Sequence, residues 1–285
     1  MTEPAALPAS ASLHVRDDPR RAAAWADRLG ELPLPALADS ARSLQALAAN
    51  EDAVDAHTIA DTIAADPLMT LAVLAHVGRQ RARDDAVHTL TGALVMLGVP
   101  PFFNAFGMLP DSDALLAGEP ELRAAFDALL RRARRTADLA AGLAVHRMEP
   151  EVEAVREAAL LHDFAELLLC CRAPAEALRL AQAKRAAPQV PGEALQRALL
   201  GTSLAAVRNL LAARWYLPPL LRQLALPTAA ATPPVQLVRL AARVARHSND
   251  DWQHPQLQQD VQEVAALLHM DAAGALALLH AIDDR

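Results

Sequence analysis

Apolar residues recur at helical spacing along most of the chain, and no stretch shows the alternation expected of a strand. Residues three and four positions apart lie on one face of an α-helix, so this pattern predicts amphipathic helices. Only 3% of the residues are aromatic, while alanine and leucine, which are strong helix formers, dominate the composition. The sequence therefore predicts an all-α protein.

Prolines, glycines and capping residues mark where these helices begin and end. Two prolines precede the helical pattern of LPLPALADSARSLQALAAN at 32–50, and Asp66-Pro67 offers a helix cap followed by a first helical residue. Thr89 is a further capping residue, and Gly98 ends the helix that follows it. Short helices are therefore predicted from residue 33 to about residue 109.

The second half of the chain continues in helices. A long amphipathic pattern from Glu121 to about Arg147 joins the two halves, and the helix from Glu151 carries His162 on its apolar stripe. Further helical stretches are predicted over 175–186, 193–214, 234–247, 258–269 and 271–283.

These elements predict three parts of the chain. Residues 1–30 form a poorly structured leader. Residues 31–250 form one domain, in which an N-terminal helical subdomain over 31–110 packs on a helical bundle over 119–250. Residues 251–285 add C-terminal helices that pack on the bundle.

Charge and hydropathy limit the environment of the protein. Its net charge is -7 at pH 7, whereas nucleic acids and anionic membranes are bound largely through excess positive charge, so neither is expected as a general partner. The first thirty residues lack the basic start and apolar core of a secretory signal, and no apolar run reaches the roughly 20 residues that a membrane span needs. We expect a cytoplasmic protein.

Several common chemical motifs are missing. Cys170 and Cys171 are adjacent, where a disulfide would be strained, so we expect reduced packing residues. The chain has no glycine-rich nucleotide loop, no C-x-x-C pair, no H-E-x-x-H zinc motif and no G-x-S-x-G nucleophile motif.

One polar pair interrupts the apolar stretch LLHDFAELLL at 160–169. His162 and Asp163 are residue types that bind divalent metals, and Glu166 follows within reach on a helix. Such a group would hold a metal that activates water against a phosphoester. The alternative is structural: His162 bonds to a backbone carbonyl at the buried end of a helix, and Asp163 caps the next turn.

A basic cluster, RRARR at 131–135, allows two interpretations. It forms a solvated face that complements nearby carboxylates, or it binds an anion such as phosphate. Arginine forks suit phosphate oxygens, so Arg131, Arg134 and Arg135 are the candidate contacts of such an anion.

An ordered series of motifs runs along the chain: LPLPALADSARSLQAL at 32–47, IADTIAADPLMTLAVLAHV at 59–77, HTLTGALVMLGV at 88–99, EAALLHDFAELLL at 157–169 and LLAARWYLP at 210–218. This series resembles the HDOD domain family, which comprises bacterial signalling modules related to the HD superfamily of metal-dependent phosphohydrolases. The resemblance implies an all-α fold, an HD-like bundle and a role in signal transduction without demonstrated catalysis.

Departures from the family pattern bear on whether this chain can bind a divalent metal. Catalytic HD relatives carry an upstream histidine where this chain has two arginines and a threonine at 134–136, and Leu204 replaces a further histidine. Of the implied ligands, His162 and Asp163 remain, with Glu166 as a third. So few ligands bind a divalent metal weakly. We therefore expect no catalysis, no cofactor and no bound metal; if a metal does bind, these three residues are its candidate ligands.

Three functional hypotheses follow. The first is a non-catalytic regulatory module that acts through protein–protein interaction, with partners such as cyclic-dinucleotide turnover enzymes or sensor kinases implied by the resemblance. The alternative is a residual HD-type phosphohydrolase. A further alternative is a sensor of an anionic nucleotide that is read by the arginines of the 131–135 cluster.

Overall fold

The computed structural model describes residues 16–50, 53–80, 88–248 and 251–284. Within these ranges the regular structure is helical and no strand occurs, which confirms the predicted all-α class. The α-helices described are α1 Pro19–Leu29, α2 Ala38–Ala48, α3 Ala56–Ile63, α4 Pro67–Gln80, α5 Leu90–Leu97, α6 Val99–Phe106, α7 Ser112–Leu115, α8 Pro120–Arg147, α9 Val152–Leu160, α10 Phe164–Arg172, α11 Pro174–Ala186, α12 Gly192–Leu200, α13 Leu204–Arg214, α14 Pro219–Gln223, α15 Pro233–His247, α16 Leu257–Leu268 and α17 Ala272–Asp283.

The predicted caps shape the N-terminal subdomain, α2 to α6. Thr89 Oγ1 accepts a hydrogen bond from the Gly92 N–H at the start of α5. Asp66, which is buried, accepts hydrogen bonds from two N–H groups in the first turn of α4 and from the Leu37 N–H. Asp66 therefore fastens the start of α4 to the start of α2, because one carboxylate satisfies donors of both.

The subdomain packs on the bundle, and one hydrophobic core runs through both. Gly78 of α4 lies against the W-x-L-P turn: a Cβ added there would stand 2.4 Å from the carbonyl oxygen of Trp215 and 2.7 Å from that of Tyr216. Only glycine allows this close approach of two backbones. The α4 helix also contacts α10, which places the subdomain beside the stretch that contains His162 and Asp163.

Part of the expected leader is structured, so that prediction is wrong for Pro19–Leu29. Asp18 caps α1 and Pro19 is its first residue, the same signal that starts α4. The helix packs on α13 and α10, and Trp25 donates a hydrogen bond from its indole N–H to the Leu200 carbonyl. Residues 1–15 lie outside the described residues.

The predicted helix over 193–214 is two helices, α12 and α13. Gly201 ends α12 with a φ of 75°, and Ser203 caps α13 by accepting a hydrogen bond from the Ala206 N–H. A left-handed glycine followed by a capping serine breaks a helix even where the apolar spacing continues.

The C-terminal helices α16 and α17 contact α15 and α8, the long central helix. Gly142 of α8 lets Ile282 of α17 approach closely: a Cβ on Gly142 would lie 2.5 Å from Ile282 Cδ1.

The two cysteines are free and buried in α10, as expected, and burial raises the pKa of Cys171 to about 12.

Among the described residues, no single helix is long and apolar enough to cross a membrane, although α16 and α17, bent by 99°, pass that test as a pair.

Candidate functional site

The His-Asp pair lies in the turn that joins α9 to α10, not on the stripe of α9 where the sequence placed His162. The last residue of α9 is Leu160, and the Leu161 and His162 N–H groups donate to the carbonyls of its last turn. Phe164 then starts α10 fully buried, with its ring 6.2 Å from that of Trp215. This packing fixes the turn and directs two polar side chains into a partly accessible site.

His162 and Asp163 bond to each other. The imidazole Nδ1 lies 2.8 Å from Asp163 Oδ1, and the two side chains are 16% and 24% exposed. Since a carboxylate accepts, Nδ1 carries the donated hydrogen and Nε2 carries the lone pair of the neutral ring. Both details of the structural alternative are thus corrected: His162 bonds to a carboxylate rather than a carbonyl, and the Asp163 side chain caps no N–H of α10.

Arg132 of α8 occupies the centre of the site. Its Nη2 lies 3.0 Å from Asp163 Oδ2 and 3.4 Å from Glu166 Oε2. Lys184 of α11 pairs with the other carboxylate oxygen of Glu166. Two cations from two helices therefore neutralise the two carboxylates that the sequence offered as metal ligands.

The pKa values follow this pairing. Burial raises the pKa of Asp163, but His162 and Arg132 outweigh it and hold that pKa well below its usual range. Burial likewise raises the pKa of Glu166, and the charges of Lys184 and Arg132 bring it below its usual value. Both groups are carboxylates at neutral pH, which makes the ion pairs permanent there.

Two further arginines stand close to the turn. Arg208 of α13 is 6% exposed and donates from Nη1 to the His162 carbonyl oxygen at 3.2 Å. Arg246, exposed at the end of α15, acts through its charge on both His162 and Asp163. Burial lowers the pKa of His162, and these two arginines lower it further against the opposing effect of Asp163. His162 is therefore a neutral imidazole at pH 7.

Sequence reasoning missed Arg132, although a signal existed. Arg132 follows the buried Leu129 by three positions and precedes the buried Thr136 by four, so it interrupts the apolar stripe of α8. A charged residue within such a stripe needs a buried partner. Its partners, Asp163 and Glu166, lie 31 and 34 positions further along the chain. The spacing of apolar residues within α8 therefore does not identify them.

The three arginines proposed as anion contacts do not converge. Arg134 donates to the Ala65 carbonyl, while Arg135 pairs with Asp283 and lies over the Trp252 ring. Arg131 is exposed on the same helix. The structure thus gives two of them partners on different sides of α8, and an anion site at this cluster stays a prediction.

A divalent metal of the kind that HD phosphohydrolases bind does not fit this donor set. Asp163 and Glu166 already form ion pairs with Arg132 and Lys184. The His162 Nδ1 is hydrogen-bonded to Asp163, and Arg208 adds positive charge. A metal here would have to displace Arg132 and stand among like charges. In the part of the chain that the structure describes, no group of three or more His, Cys, Asp or Glu side chains could hold a metal ion.

The fold and the site define a class of all-α proteins with a His-Asp pair in a turn between two bundle helices. The model of the HDOD domain matches residues 34–229, more than half of the chain, and the chain belongs to the HDOD domain family. The match ends before α15, so α15 to α17 lie outside it.

Solved structures share the fold. The MmoQ response regulator from Methylococcus capsulatus str. Bath gives a TM-score of 0.66 at 19% identity, over 88% of this chain and 99% of that one. A virulence factor from Campylobacter jejuni subsp. jejuni gives 0.69 at 14% identity, over 92% and 96%. An HDOD domain protein from Geobacter sulfurreducens gives 0.50 at 18% identity, over 93% and 97%. No curated protein matches the chain.

Proposed function

We propose that this HDOD protein is a non-catalytic regulatory module of bacterial signalling that acts by binding a protein partner. The observation that carries this proposal is the position of Arg132, which pairs with Asp163 and Glu166 where a catalytic relative would use acidic groups to hold a metal. A guanidinium cannot activate a water molecule as a metal ion does, because it offers no open coordination position.

Membership of the family and the likeness to a protein named as a response regulator support a signalling role. No cofactor enters the proposal, since the polar groups of the site bond to one another. The cyclic-dinucleotide turnover enzymes and sensor kinases implied by the family remain candidate partners.

A groove on the N-terminal subdomain supports the interaction role. It is an open space of about 570 Å³ between α4, α5 and α6, lined by His76, Val77, Gln80, Met96, Leu97, Pro101, Asn104 and Ala105. Val95 stands beside these residues in α5 with 61% of its surface exposed. Exposed apolar residues next to a groove with a few polar groups suit an apolar side chain from a partner protein.

Partner capture with the full chain tests this role. Asn104→Arg places a charged side chain in the groove, and Gln253→Arg makes the same change at an exposed position before α16. We expect a captured partner to be released by Asn104→Arg and retained by Gln253→Arg. A partner that both variants retain would place the interaction elsewhere.

An activity assay tests the non-catalytic claim. The chain is incubated with a chromogenic phosphodiester and with manganese, iron, zinc or nickel, beside the His162→Ala variant. We expect equal background hydrolysis from both proteins. Metal-dependent hydrolysis that His162→Ala abolishes would instead support the phosphohydrolase hypothesis.

A further inference from the structure

The first helix, α1, buries little apolar surface against the rest of the chain. Among its eleven residues only Ala22, Ala26 and Leu29 are buried, and Trp25 lies half-buried beside them. By contrast, α9 has nine residues and buries six of them. Because hydrophobic stabilisation grows with the apolar area removed from water, apolar packing alone gives α1 a modest attachment.

A carboxylate directly before α1 supplies its strongest polar contact. Asp17 Oδ1 accepts hydrogen bonds from the Ser203 N–H at 2.6 Å and from Arg197 Nε at 3.1 Å, and Oδ2 accepts one from the Ser203 hydroxyl at 3.1 Å. Ser203 is the N-cap of α13, so the carboxylate lies at the positive end of an eleven-residue helix. Since charge-assisted hydrogen bonds are stronger than neutral ones, Asp17 is the main polar anchor of α1.

The other ion pairs of α1 are exposed. Arg28 lies 3.2 Å from Glu176 of α11, and Asp27 lies 2.8 Å from Arg214 at the end of α13. The two arginine side chains are 48% and 47% exposed, and pairs of this kind contribute little to stability. A small apolar contact bordered by polar pairs is typical of a transient interface rather than of a domain core.

The surface beneath α1 is apolar and extends along α13. Gly30, at the end of α1, lies so close to it that an added Cβ would stand 2.9 Å from Leu211 Cδ2 and 3.3 Å from Trp215 Cζ2. Both side chains are buried, at 0% and 3% exposure. Departure of α1 would therefore uncover apolar groups between polar anchors at the two ends of α13. We call this area the α13 surface; its residues are Arg197, Ser203, Leu211, Arg214 and Trp215.

We propose that α1 is a displaceable helix and that the α13 surface is a second docking site, which takes an amphipathic helix from a protein partner. That helix carries a carboxylate directly before its first turn, as Asp17 precedes α1, and small apolar residues on its buried stripe. The α13 surface shares no residue with the groove between α4, α5 and α6, so this site goes beyond the proposed function. Because α1 and the partner helix exclude each other, α1 regulates access to it.

Hydrogen exchange of the full chain tests whether α1 detaches on its own. We expect amides of α1 to exchange by local opening, at least about a hundredfold faster than the buried amides of α8. Asp17→Ala should speed exchange in α1 about tenfold or more and leave α8 unchanged, which also shows that the variant is folded. Asp27→Ala is the matched control, because it removes a carboxylate whose ion pair is exposed, and exchange in α1 should stay within about threefold.

A peptide of residues 16–31 with a fluorescent label tests whether the α13 surface binds a helix supplied in trans. Fluorescence anisotropy should show saturable binding to the full-length Asp17→Ala chain. Binding to the wild-type chain should be at least about fivefold weaker, because its own α1 competes at a high effective concentration. The same peptide with Asp17→Ala should bind the variant chain about tenfold more weakly than the unchanged peptide.

Three results would overturn the proposal. They are equal exchange of α1 and α8 in the wild type, no saturable binding of the unchanged peptide to the Asp17→Ala chain, and equal binding of the two peptides. Partner capture with Asn104→Arg examines the groove on the N-terminal subdomain, so the proposed function can fail or hold independently of these outcomes.

Discussion

Two acidic residues six positions apart, the buried Glu157 and the half-buried Asp163, show opposite behaviour. Glu157 on α9 accepts the Leu90 N–H at the start of α5 through both oxygens, at 2.8 and 2.9 Å, and burial raises its pKa to about 8. Asp163, in the turn after α9, is bonded to His162 and Arg132, and its pKa lies well below the usual range. Similar carboxyl groups on adjoining parts of one element thus differ in charge at neutral pH.

The difference lies in the counter-ion. At Glu157 burial and the charge of Glu153 raise the pKa, and the Leu90 N–H and the charge of Arg156 do not offset them. At Asp163 burial is the largest single effect, but His162 and the guanidinium of Arg132, both in direct contact with the carboxylate, together outweigh it. A buried carboxyl group is therefore a poor guide to a metal site until its neighbouring cations are known.

Removal of the Arg132 side chain should abolish the difference between Glu157 and Asp163. It should also produce the largest loss of stability among the variants considered. In Arg132→Ala, Asp163 loses its cation and Glu166 keeps only Lys184, so the free energy of unfolding at pH 7 should fall by about 3 kcal/mol. Urea denaturation measures it. Arg131→Ala, an exposed change on the same helix, should stay within about 0.5 kcal/mol. Equal values for both variants would show that the central ion pairs contribute nothing to stability.

Much of the fold could be predicted from the sequence because its signals are local. The caps at Asp66 and Thr89 and the glycine stop at Gly98 lie within a few residues of the helix ends they define. Similar local signals are present at Asp18-Pro19 and at Gly201. Because the prediction relied on apolar spacing alone, it assigned α1 to an unstructured leader and joined α12 and α13 into one helix.

The site could be predicted only in part. His162, Asp163 and Glu166 are close in sequence, and the structure brings them together with Arg132, which lies on another helix. Which arginine of RRARR faces the site depends on the rotation of α8 about its axis and on its contacts with α9 and α15. These are tertiary properties, so spacing within α8 could not choose Arg132 over its neighbours.

Glu157 tests the other half of the comparison. Its replacement by glutamine, a neutral residue of the same shape, should make the protein more stable than the wild type at high pH. The folded state holds the Glu157 proton up to about pH 8, whereas the unfolded chain loses it near its usual value of 4.5. Between these values unfolding releases a proton, so wild-type stability falls as pH rises from about 4.5 to about 8. Glu157→Gln should remove that slope in denaturation curves at pH 5 and pH 8. An unchanged slope would mean that Glu157 is ionised in the folded protein.

The smallest effect is expected at Lys184. It is 29% exposed, and in Lys184→Gln the Glu166 carboxylate keeps Arg132 at 3.4 Å. The loss should be about 1 kcal/mol, well below that of Arg132→Ala. Paired denaturation curves of the two variants measure the ranking, and a larger loss at Lys184 would make the lysine the principal counter-ion of the site.

The most direct measurement is metal content. The full chain is purified without chelator, offered manganese, iron, zinc or nickel, desalted and analysed by elemental mass spectrometry, with His162→Ala beside it. Because Arg132 and Lys184 already neutralise the carboxylates, we predict far less than one metal per chain and the same content in both proteins. Near-stoichiometric metal in the wild type that is lost in His162→Ala would contradict the account.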